Sequence, residues 1–324
     1  MVNVCIVGYG AVGPVHALAL AKINEVNLCG ICDIVKERAD RGAKEYGAKA
    51  FYDFDECVVD EKIDFIHICT PHYIHFEMIT KALNAGKRVV VEKPPVMKKT
   101  ELDTLFLKYD TTKIFPIIQN RTNNCVIKLK ELLETKKFGR LKGIKSVITW
   151  NRDETYYKVE DWRGKKEYEG GGVLINQAVH TLDLIIYLAG NVKSVSSTMN
   201  NCSLKGVIDV EDTVSVYMSF VNGASAVFYA TNAYTKNSAV QIEFDCENAN
   251  IVYDNGKLYV NDINVCSDSL KYEGKSYWGN GHEKTLFDLY EKKSKLCLDD
   301  VKNTMNTLFA IYESANNGGI DVSI

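Results

Sequence analysis

The first 33 residues constrain the fold of this chain more than any other stretch. A charge-free apolar run, residues 2–7, leads directly into the sequence Gly8-Tyr9-Gly10-Ala11-Val12-Gly13. A helical pattern over residues 17–21 follows, and a second apolar run, residues 26–32, ends at Asp33. Strand, glycine turn, helix, strand and acid in this order predict a βαβ unit of a parallel sheet.

The glycine turn has the spacing of a dinucleotide site. Gly8 permits the tight turn, Gly10 lets the backbone approach a pyrophosphate, and Gly13 lets the helix lie close to the strand. The phosphates would bind at the helix N-terminus, where N–H groups and the helix dipole favour negative charge. Asp33 follows Gly13 by 20 residues, the separation expected of a carboxylate that accepts from the adenosine ribose hydroxyls.

The same acid bears on the choice of cofactor. A carboxylate at Asp33 would repel the 2′-phosphate of NADP, so the sequence favours NAD. Lys36 and Arg38 follow closely enough to leave NADP possible.

The composition excludes several classes of protein. The 324 residues suffice for two substantial cores, and 46% hydrophobic and 25% charged residues are ordinary for a globular chain. A net charge of −3 provides no basic field for nucleic acid or an anionic membrane. No basic signal segment, no membrane-spanning apolar run and no disulfide framework among the ten cysteines are visible. We therefore expect a cytoplasmic protein with reduced thiols.

The pattern of elements changes near residue 120. Strands alternate with helices before it, which predicts a doubly wound parallel sheet of the Rossmann type. All five prolines lie at or before Pro116, and β-rich runs separated by Asn-Gly turns dominate after residue 190. We predict an α/β protein with a Rossmann dinucleotide-binding domain, 1–120. The remainder, 121–324, is expected to be an α/β domain with a large, mostly antiparallel sheet.

Lys93 is the first candidate for chemistry. It follows the apolar strand Arg88–Val91, and Pro94 and Pro95 come directly after it. Ligands of doubly wound sheets bind beyond the carboxyl ends of the strands. A cation there could orient a substrate hydroxyl and lower its pKa. The alternative is a solvated loop lysine.

The second candidate is a helical pattern after Gly170-Gly171-Gly172. Asn176, His180 and Asp183 fall on one face of a helix expected from Val173 to Leu188. A histidine among polar groups suits proton transfer near neutral pH. The alternative is a core histidine, and Asp183 is equally compatible with a structural partner.

These motifs together resemble the glucose–fructose oxidoreductase and inositol dehydrogenase family (Gfo/Idh/MocA). The resemblance covers essentially the whole chain. Besides the glycine turn, the matching segments are Thr70-Pro71 with His75, Glu92-Lys93-Pro94, Gln119-Asn120-Arg121, Trp162-Arg163-Gly164, the stretch from Glu169 to Asp183, Glu211-Asp212-Thr213 and Ser314-Ala315.

The resemblance implies NAD(P)-dependent, reversible oxidation of a secondary alcohol on a sugar, a sugar derivative or a cyclitol. It implies that Lys93 and His180 act at the reacting hydroxyl, with His180 as the base. It also implies a C-terminal domain whose open sheet builds homodimers or homotetramers. The implied cofactor-binding residues are Gly8, Gly10, Ala11, Val12, Gly13, Asp33, Thr70, Pro71, His75, Glu92, Lys93 and Gln119.

The chain departs from the family pattern at Asn176, where many members carry aspartate. Asparagine cannot take up a proton, so we expect Asn176 to be a substrate hydrogen-bond partner. Polar and aromatic groups that could cover a polyol lie before the glycine triplet. The expected substrate-binding residues there are Arg152, Tyr157, Trp162 and Arg163, with Tyr156 beside them.

Two other functions remain open at this point. One is a glycosidase that oxidises its substrate transiently and recycles NAD, and the other is a non-catalytic NAD-binding sensor. We predict no metal site, because His72 and His75 have no further carboxylate or cysteine at ligand spacing. His282 is a weaker candidate site residue.

Overall fold

The computed structural model describes residues 1–268, 281–291 and 296–324. The chain divides into two compact units. Unit 1 comprises Met1–Gln119 and Asn280–Val301, and unit 2 comprises Asn120–Gly279 and Lys302–Ile324. The expected domain boundary near residue 120 stays a prediction. The two compact units differ from that expectation in one respect: the helix at 281–290 belongs to unit 1.

Unit 1 contains a six-stranded parallel sheet, as the alternation of strands and helices predicts. Its spatial order is β3-β2-β1-β4-β5-β6, so the direction of winding reverses between β1 and β4. Such a reversal forms the crevice in which doubly wound sheets bind ligands. The strands are β1 (Val2–Val7), β2 (Val26–Cys32), β3 (Lys49–Phe51), β4 (Phe65–Ile68), β5 (Arg88–Val91) and β6 (Ile114–Pro116).

The helices of unit 1 cover this sheet. They are α1 (Gly13–Leu20), α2 (Lys36–Tyr46), α3 (Phe54–Val58), α4 (His75–Asn84), α5 (Lys99–Lys108) and α10 (Gly281–Tyr290). Helix α10 packs against α1, and its Leu286 and Tyr290 belong to the same buried cluster as Val4, Ile6 and Leu20. A segment distant in sequence thus completes the core of this unit.

Unit 2 contains a nine-stranded sheet in the order β14-β13-β12-β11-β7-β10-β9-β8-β15. Among the described residues its neighbouring strands pair antiparallel except β7 and β10, which are parallel. The strands are β7 (Leu141–Thr149), β8 (Val192–Asn200), β9 (Thr213–Phe220), β10 (Ser225–Thr231), β11 (Gln241–Cys246), β12 (Asn250–Asp254), β13 (Lys257–Val260), β14 (Ile263–Ser267) and β15 (Val322–Ser323).

The helices of this unit are α6 (Asn124–Glu134), α7 (Glu154–Lys158), α8 (Lys166–Glu169) and α9 (Val179–Ala189). Helix α11 (Leu298–Asn316) begins in unit 1 and continues into unit 2.

The predicted fold class is confirmed, with local corrections. The residues 114–119 are compatible with one strand by sequence, but β6 ends at Pro116 and a 3₁₀ turn occupies Gln119–Thr122. The β-rich run 251–260 is the hairpin β12–β13, which turns at the Asn-Gly pair 255–256. The stretch 166–189 is long and apolar enough to span a membrane, contrary to expectation, but 89% of its most apolar window is buried within the fold.

Candidate active site

The glycine turn after β1 has the geometry that close approach requires. Gly8 has a φ of 90°, and a Cβ added there would lie 2.7 Å from the carbonyl oxygen of Cys69. A Cβ added to Gly13 would overlap the carbonyl oxygen of Gly8. At Gly10 the nearest atom to an added Cβ is Arg38 Nη1, at 3.8 Å. The turn is therefore packed against protein at two glycines and open at the one expected to meet a pyrophosphate.

Helix α1 starts within this motif. It begins at Gly13, and its N-cap residue Val12 makes no side-chain cap. Pro14 has no N–H, and the N–H groups of Val15 and His16 bond to the Val12 carbonyl. The backbone N–H groups that an anion can meet are therefore those of residues 11–13.

Asp33 is fixed at the carboxyl end of β2. Its Oδ2 accepts from the backbone N–H of Tyr9 at 2.7 Å, and its Oδ1 accepts from that of Val35 at 2.8 Å. Each carboxylate oxygen keeps a second lone pair for a ribose hydroxyl. These residues fit the adenosine half of NAD.

The loops after β4 and β5 are joined by His75. Its Nδ1 lies 2.8 Å from the carbonyl oxygen of Pro94, and its Nε2 lies 2.9 Å from that of Thr70. The ring is fully buried, and burial lowers its pKa although both carbonyls favour the protonated form. In its neutral form the ring donates to one carbonyl at a time. His75 therefore holds together two segments, Thr70-Pro71 and Glu92-Lys93-Pro94, that the sequence assigns to the cofactor.

Lys93 and Gln119 lie in the same unit. Lys93 is half-buried, and its backbone N–H points at Glu92 Oε2, 3.3 Å away. Gln119 is buried in the 3₁₀ turn, and its carbonyl oxygen lies against Gly281 of α10.

A chain of buried polar groups that sequence reasoning missed extends from Glu92. Its Oε1 lies 3.0 Å from His16 Nε2 and 3.2 Å from His282 Nε2. His16 Nδ1 lies 2.9 Å from His67 Nδ1, and His67 Nε2 lies 2.5 Å from the hydroxyl oxygen of Tyr290. Two signals in the sequence were available: His67 interrupts an apolar strand, and His16 lies in the first turns of α1.

Counting protons fixes which group donates and which accepts in each of these hydrogen bonds. An ionised Glu92 only accepts, so His16 donates from Nε2 and must accept at Nδ1 from His67. His67 then accepts at Nε2 from the Tyr290 hydroxyl. When His16 and His67 are both neutral, each of these hydrogen bonds contains one proton. Burial lowers the pKa of both histidines, which favours this neutral state. Burial opposes ionisation of Glu92, but the bonds from His16 and His282 outweigh it and hold its pKa well below the usual range.

In unit 2, Glu211 holds the start of the helical segment after the glycine triplet. Its carboxylate accepts from the N–H groups of Gly172 and Leu174, at 2.9 and 3.1 Å, and from the Tyr312 hydroxyl at 2.8 Å. A Cβ on Gly172 would overlap the Glu211 carbonyl oxygen. The single α-helix expected over 173–188 is wrong in its first part, because Leu174–Ala178 is π-helical and α9 begins at Val179.

Asn176 lies in this π-helical turn. Its side-chain amide donates to Glu169 Oε1, while Glu169 Oε2 accepts from the N–H of Gly164. His180 follows in α9 and is partly exposed. Asp183 is the structural partner of Arg121, which donates to both carboxylate oxygens at 2.8 and 2.6 Å.

The expected substrate residues before the glycines form an arginine–aromatic cluster. The guanidinium groups of Arg152 and Arg163 lie 5.3 and 4.7 Å from the ring centroid of Tyr156. Arg163 also lies 5.7 Å from the Trp162 ring, and Tyr157 meets Tyr156 edge to face at 5.0 Å. Such planar, cationic surfaces suit a polyol with an apolar face and hydroxyl edges.

Two amides that sequence reasoning missed connect to this cluster. Asn232 donates from Nδ2 to the Tyr157 hydroxyl and to Gln177 Oε1, both at 3.1 Å. Gln177 in turn donates to the Tyr156 hydroxyl at 3.2 Å. Burial raises the pKa of the Tyr157 phenol, so Tyr157 stays a neutral hydrogen-bonding group.

The doubly wound sheet, its glycine turn and the fixed Asp33 define a dinucleotide-binding protein of the Rossmann type. Comparison with known families agrees. Residues 2–113 match the oxidoreductase family with an NAD-binding Rossmann fold, and residues 126–252 match the GFO/IDH/MocA C-terminal domain. The chain belongs to the GFO/IDH/MocA family, and it is an NAD-dependent dehydrogenase acting on CH–OH groups.

Individual relatives are distant. Levoglucosan dehydrogenase of Pseudarthrobacter phenanthrenivorans is 25% identical over 293 residues, which cover 78% of this chain and 73% of that protein. D-glucoside 3-dehydrogenase of Escherichia coli is 29% identical, covering 68% and 67%. The WlbA dehydrogenase of Bordetella pertussis, solved with NADH and UDP-GlcNAcA, has the same fold: the TM-score is 0.86 at 23% identity, with 100% and 98% of the two chains covered.

The individual site residues stay predictions. Within unit 1 the expected cofactor residues follow the carboxyl ends of β1, β2, β4 and β5, and Gln119 follows β6. Within unit 2, Arg152, Tyr157 and Arg163 lie around Tyr156. Trp162 lies against Arg163, and Asn176 bonds to Glu169.

Proposed function

We propose that this chain transfers a hydride between NAD and a secondary hydroxyl of a sugar, a sugar derivative or a cyclitol. The observation that carries the proposal is the similarity across both units to dehydrogenases named for levoglucosan and D-glucosides. The arginine–aromatic cluster around Tyr156 supports a polyol substrate.

Each candidate side chain has a role in this reaction. Lys93 orients and polarises the reacting oxygen, and His180 takes the hydroxyl proton as hydride leaves for the nicotinamide. NAD supplies the hydride acceptor. Asn176 donates one amide proton to Glu169, which orients the amide, and its Oδ1 accepts a hydrogen bond from a substrate hydroxyl.

The first experiment measures absorbance of the reduced cofactor with NAD or NADP against cyclitols, free sugars, nucleotide sugars and glycosides. We expect reduction of NAD with a narrow group of substrates. Silence across the panel, with NAD binding confirmed by calorimetry, would contradict the proposal. Sugar release from glycosides without NADH accumulation would identify the recycling glycosidase instead, and binding without either reaction would identify the sensor.

Two variants test the roles. Lys93→Ala and His180→Ala should each lower kcat by about 100-fold or more, the usual contribution of acid–base groups, while the Kd for NADH changes far less. Lys98→Ala is the matched control, because Lys98 is exposed in the same loop. Near-normal turnover in both test variants would show that the assignment is wrong.

We also propose the cytoplasm as the compartment and a homodimer or homotetramer as the assembly, with no nucleic-acid or membrane partner. All ten cysteines are free thiols, which supports a reducing compartment.

A further inference from the structure

Glu92 brings a buried negative charge to the carboxyl end of β5. Glu92 is 7% exposed, and its Oε1 accepts hydrogen bonds from His16 and His282. The proton count along the contacts to Tyr290 requires a neutral His16, so His16 stabilises the carboxylate without cancelling its charge. An uncancelled charge in a desolvated position acts over a longer distance than one at the surface.

The topology of unit 1 indicates which half of NAD this charge meets. The strand order reverses between β1 and β4, and a dinucleotide lies across that reversal. Asp33 ends β2, on one side of it, and the glycine turn follows β1. If the adenosine ribose binds Asp33 and the pyrophosphate binds α1, the nicotinamide half lies over the ends of β4 and β5, where Glu92 is.

The two redox forms of the cofactor differ there by one charge. The oxidised nicotinamide ring carries a positive charge, and the dihydronicotinamide ring is neutral. A nearby carboxylate attracts the first and has little effect on the second. We propose that Glu92 sets the redox preference of this chain, favouring the binding of NAD⁺ over NADH and thereby stabilising the oxidised cofactor on the protein.

The histidines have a defined part in this device. His16 and His282 are positioning residues that keep the carboxylate ionised and fixed. With Glu92 they also have the donor set of a cation site, their ligand atoms lying within 4.8 Å of one another. A divalent cation there would cancel the carboxylate, so the inference requires that hydrogen bonds alone occupy this cluster.

The test is the ratio Kd(NAD⁺)/Kd(NADH) of the full chain without substrate. It is measured by calorimetry with chelator present at about pH 8, where an ordinary imidazole is neutral. In Glu92→Gln the ratio should rise about tenfold, or about 1.4 kcal/mol, mainly through weaker NAD⁺ binding. An unchanged ratio in a folded variant overturns the proposal.

Two controls separate charge from structure. His282→Gln keeps a donor and the Glu92 charge, so its ratio should stay within about twofold of wild type. Asp33→Asn should weaken both cofactor forms equally, because the adenosine half is the same in each. A shift in His282→Gln as large as in Glu92→Gln would overturn the proposal, as would one equivalent of metal in the purified protein.

A second variant covers loss of folding in Glu92→Gln, detected by circular dichroism. Thr70→Asp adds a carboxylate at the end of β4, and Thr70 is partly exposed. Its ratio should fall, and an unchanged ratio overturns the proposal. Since the inference needs only the NAD site, it stands or falls independently of the sugar substrate.

Discussion

At the scale of the residue, carboxylates that accept from backbone N–H groups fix the local geometry. Asp33 takes the N–H groups of Tyr9 and Val35, and Asp212 takes those of Ser203 and Leu204 at 2.8 and 3.1 Å. An ionised acceptor forms stronger hydrogen bonds than a neutral one. Each such acid holds two points of the backbone to one place.

Asp33→Asn should change cofactor selectivity. Removing the carboxylate removes its repulsion of a 2′-phosphate, so the ratio of NADPH to NADH affinity should rise by about tenfold. Arg38, whose guanidinium approaches Gly10, is placed to attract the phosphate. Fluorescence titration of both reduced cofactors measures this ratio. Glu37→Gln removes an exposed charge from α2 and should leave it unchanged; an equal effect would point to general electrostatics instead.

The predictability of single residues depends on their distance in sequence. The glycine turn and Asp33 were predictable because the whole constellation lies within one βαβ unit. The chain from Glu92 to Tyr290 was not, because its contacts join residues 51 to 223 positions apart. His67 is visible in the sequence as a polar residue within the apolar strand β4. Its hydrogen-bond partners, however, depend on tertiary packing.

At the scale of the element, the helical segment after the glycines depends on its N-terminal anchor. Sequence periodicity predicted an α-helix from Val173, since the apolar residues are compatible with one. The π-helical turn arises where Glu211 and Glu169 bind the backbone and Asn176. Glu211 is 39 and 37 residues away from Gly172 and Leu174, so the local pattern alone could not predict this turn.

Glu211→Ala should destabilise unit 2. The substitution leaves the N–H groups of Gly172 and Leu174 and the hydroxyl of Tyr312 without their acceptor, at a cost of about 1 to 3 kcal/mol for each buried donor. Burial raises the pKa of Glu211, because keeping the buried carboxylate ionised costs free energy. This cost offsets part of the stabilisation that its hydrogen bonds provide. We expect the free energy of unfolding, measured with urea, to fall by about 3 kcal/mol. Glu313→Ala, at an exposed site on α11, should lower the free energy of unfolding by less than about 0.5 kcal/mol. If the two variants lost the same amount, the anchoring role of Glu211 would be excluded.

The histidine chain of unit 1 should make stability fall with acidification. His16 and His67 have lowered pKa values in the folded state, so their contribution is complete above about pH 6.5, the unfolded value, and is lost below it. Glu92, also lowered, adds a further loss below about pH 4.5. We expect about 1 kcal/mol lost per histidine between about pH 6.5 and 5.5.

Urea unfolding across that range measures the slope. His67→Asn removes one titrating group and should flatten the dependence, whatever its effect on absolute stability. An unchanged slope would mean that His67 titrates alike in both states.

At the scale of the whole molecule, the sequence predicted two sheets and their kinds, because each hydrophobic period and turn signal is local. It did not predict that α10 belongs to the core of unit 1 or that β15 joins the sheet edge beside β8. Both are pairings between distant segments. The short run at Val322–Ser323 has no periodicity that could indicate a strand.

The nine-stranded sheet exposes an apolar face that bears on assembly. Val147, Tyr217, Val227 and Tyr229 are 36% to 52% exposed. They come from three adjacent strands, and the pairing places Val227 beside Tyr217 and Tyr229 beside Val147. Neighbouring apolar side chains on one sheet face are typical of an interface, and the family resemblance makes a second copy of this chain the expected partner.

We therefore expect the wild-type protein to form a homodimer or homotetramer, and the double variant Val147→Asp/Tyr217→Asp, whose like charges cannot pair with each other, to dissociate it. Charges at the centre of the interface would lose their hydration on association, which costs several kcal/mol when they find no partner. Light scattering after size-exclusion chromatography measures the mass. Leu107→Lys is the control, because Leu107 is 82% exposed on α5 of the other unit. A monomeric wild type, or an oligomer unaffected by the double variant, would show that this face serves another purpose.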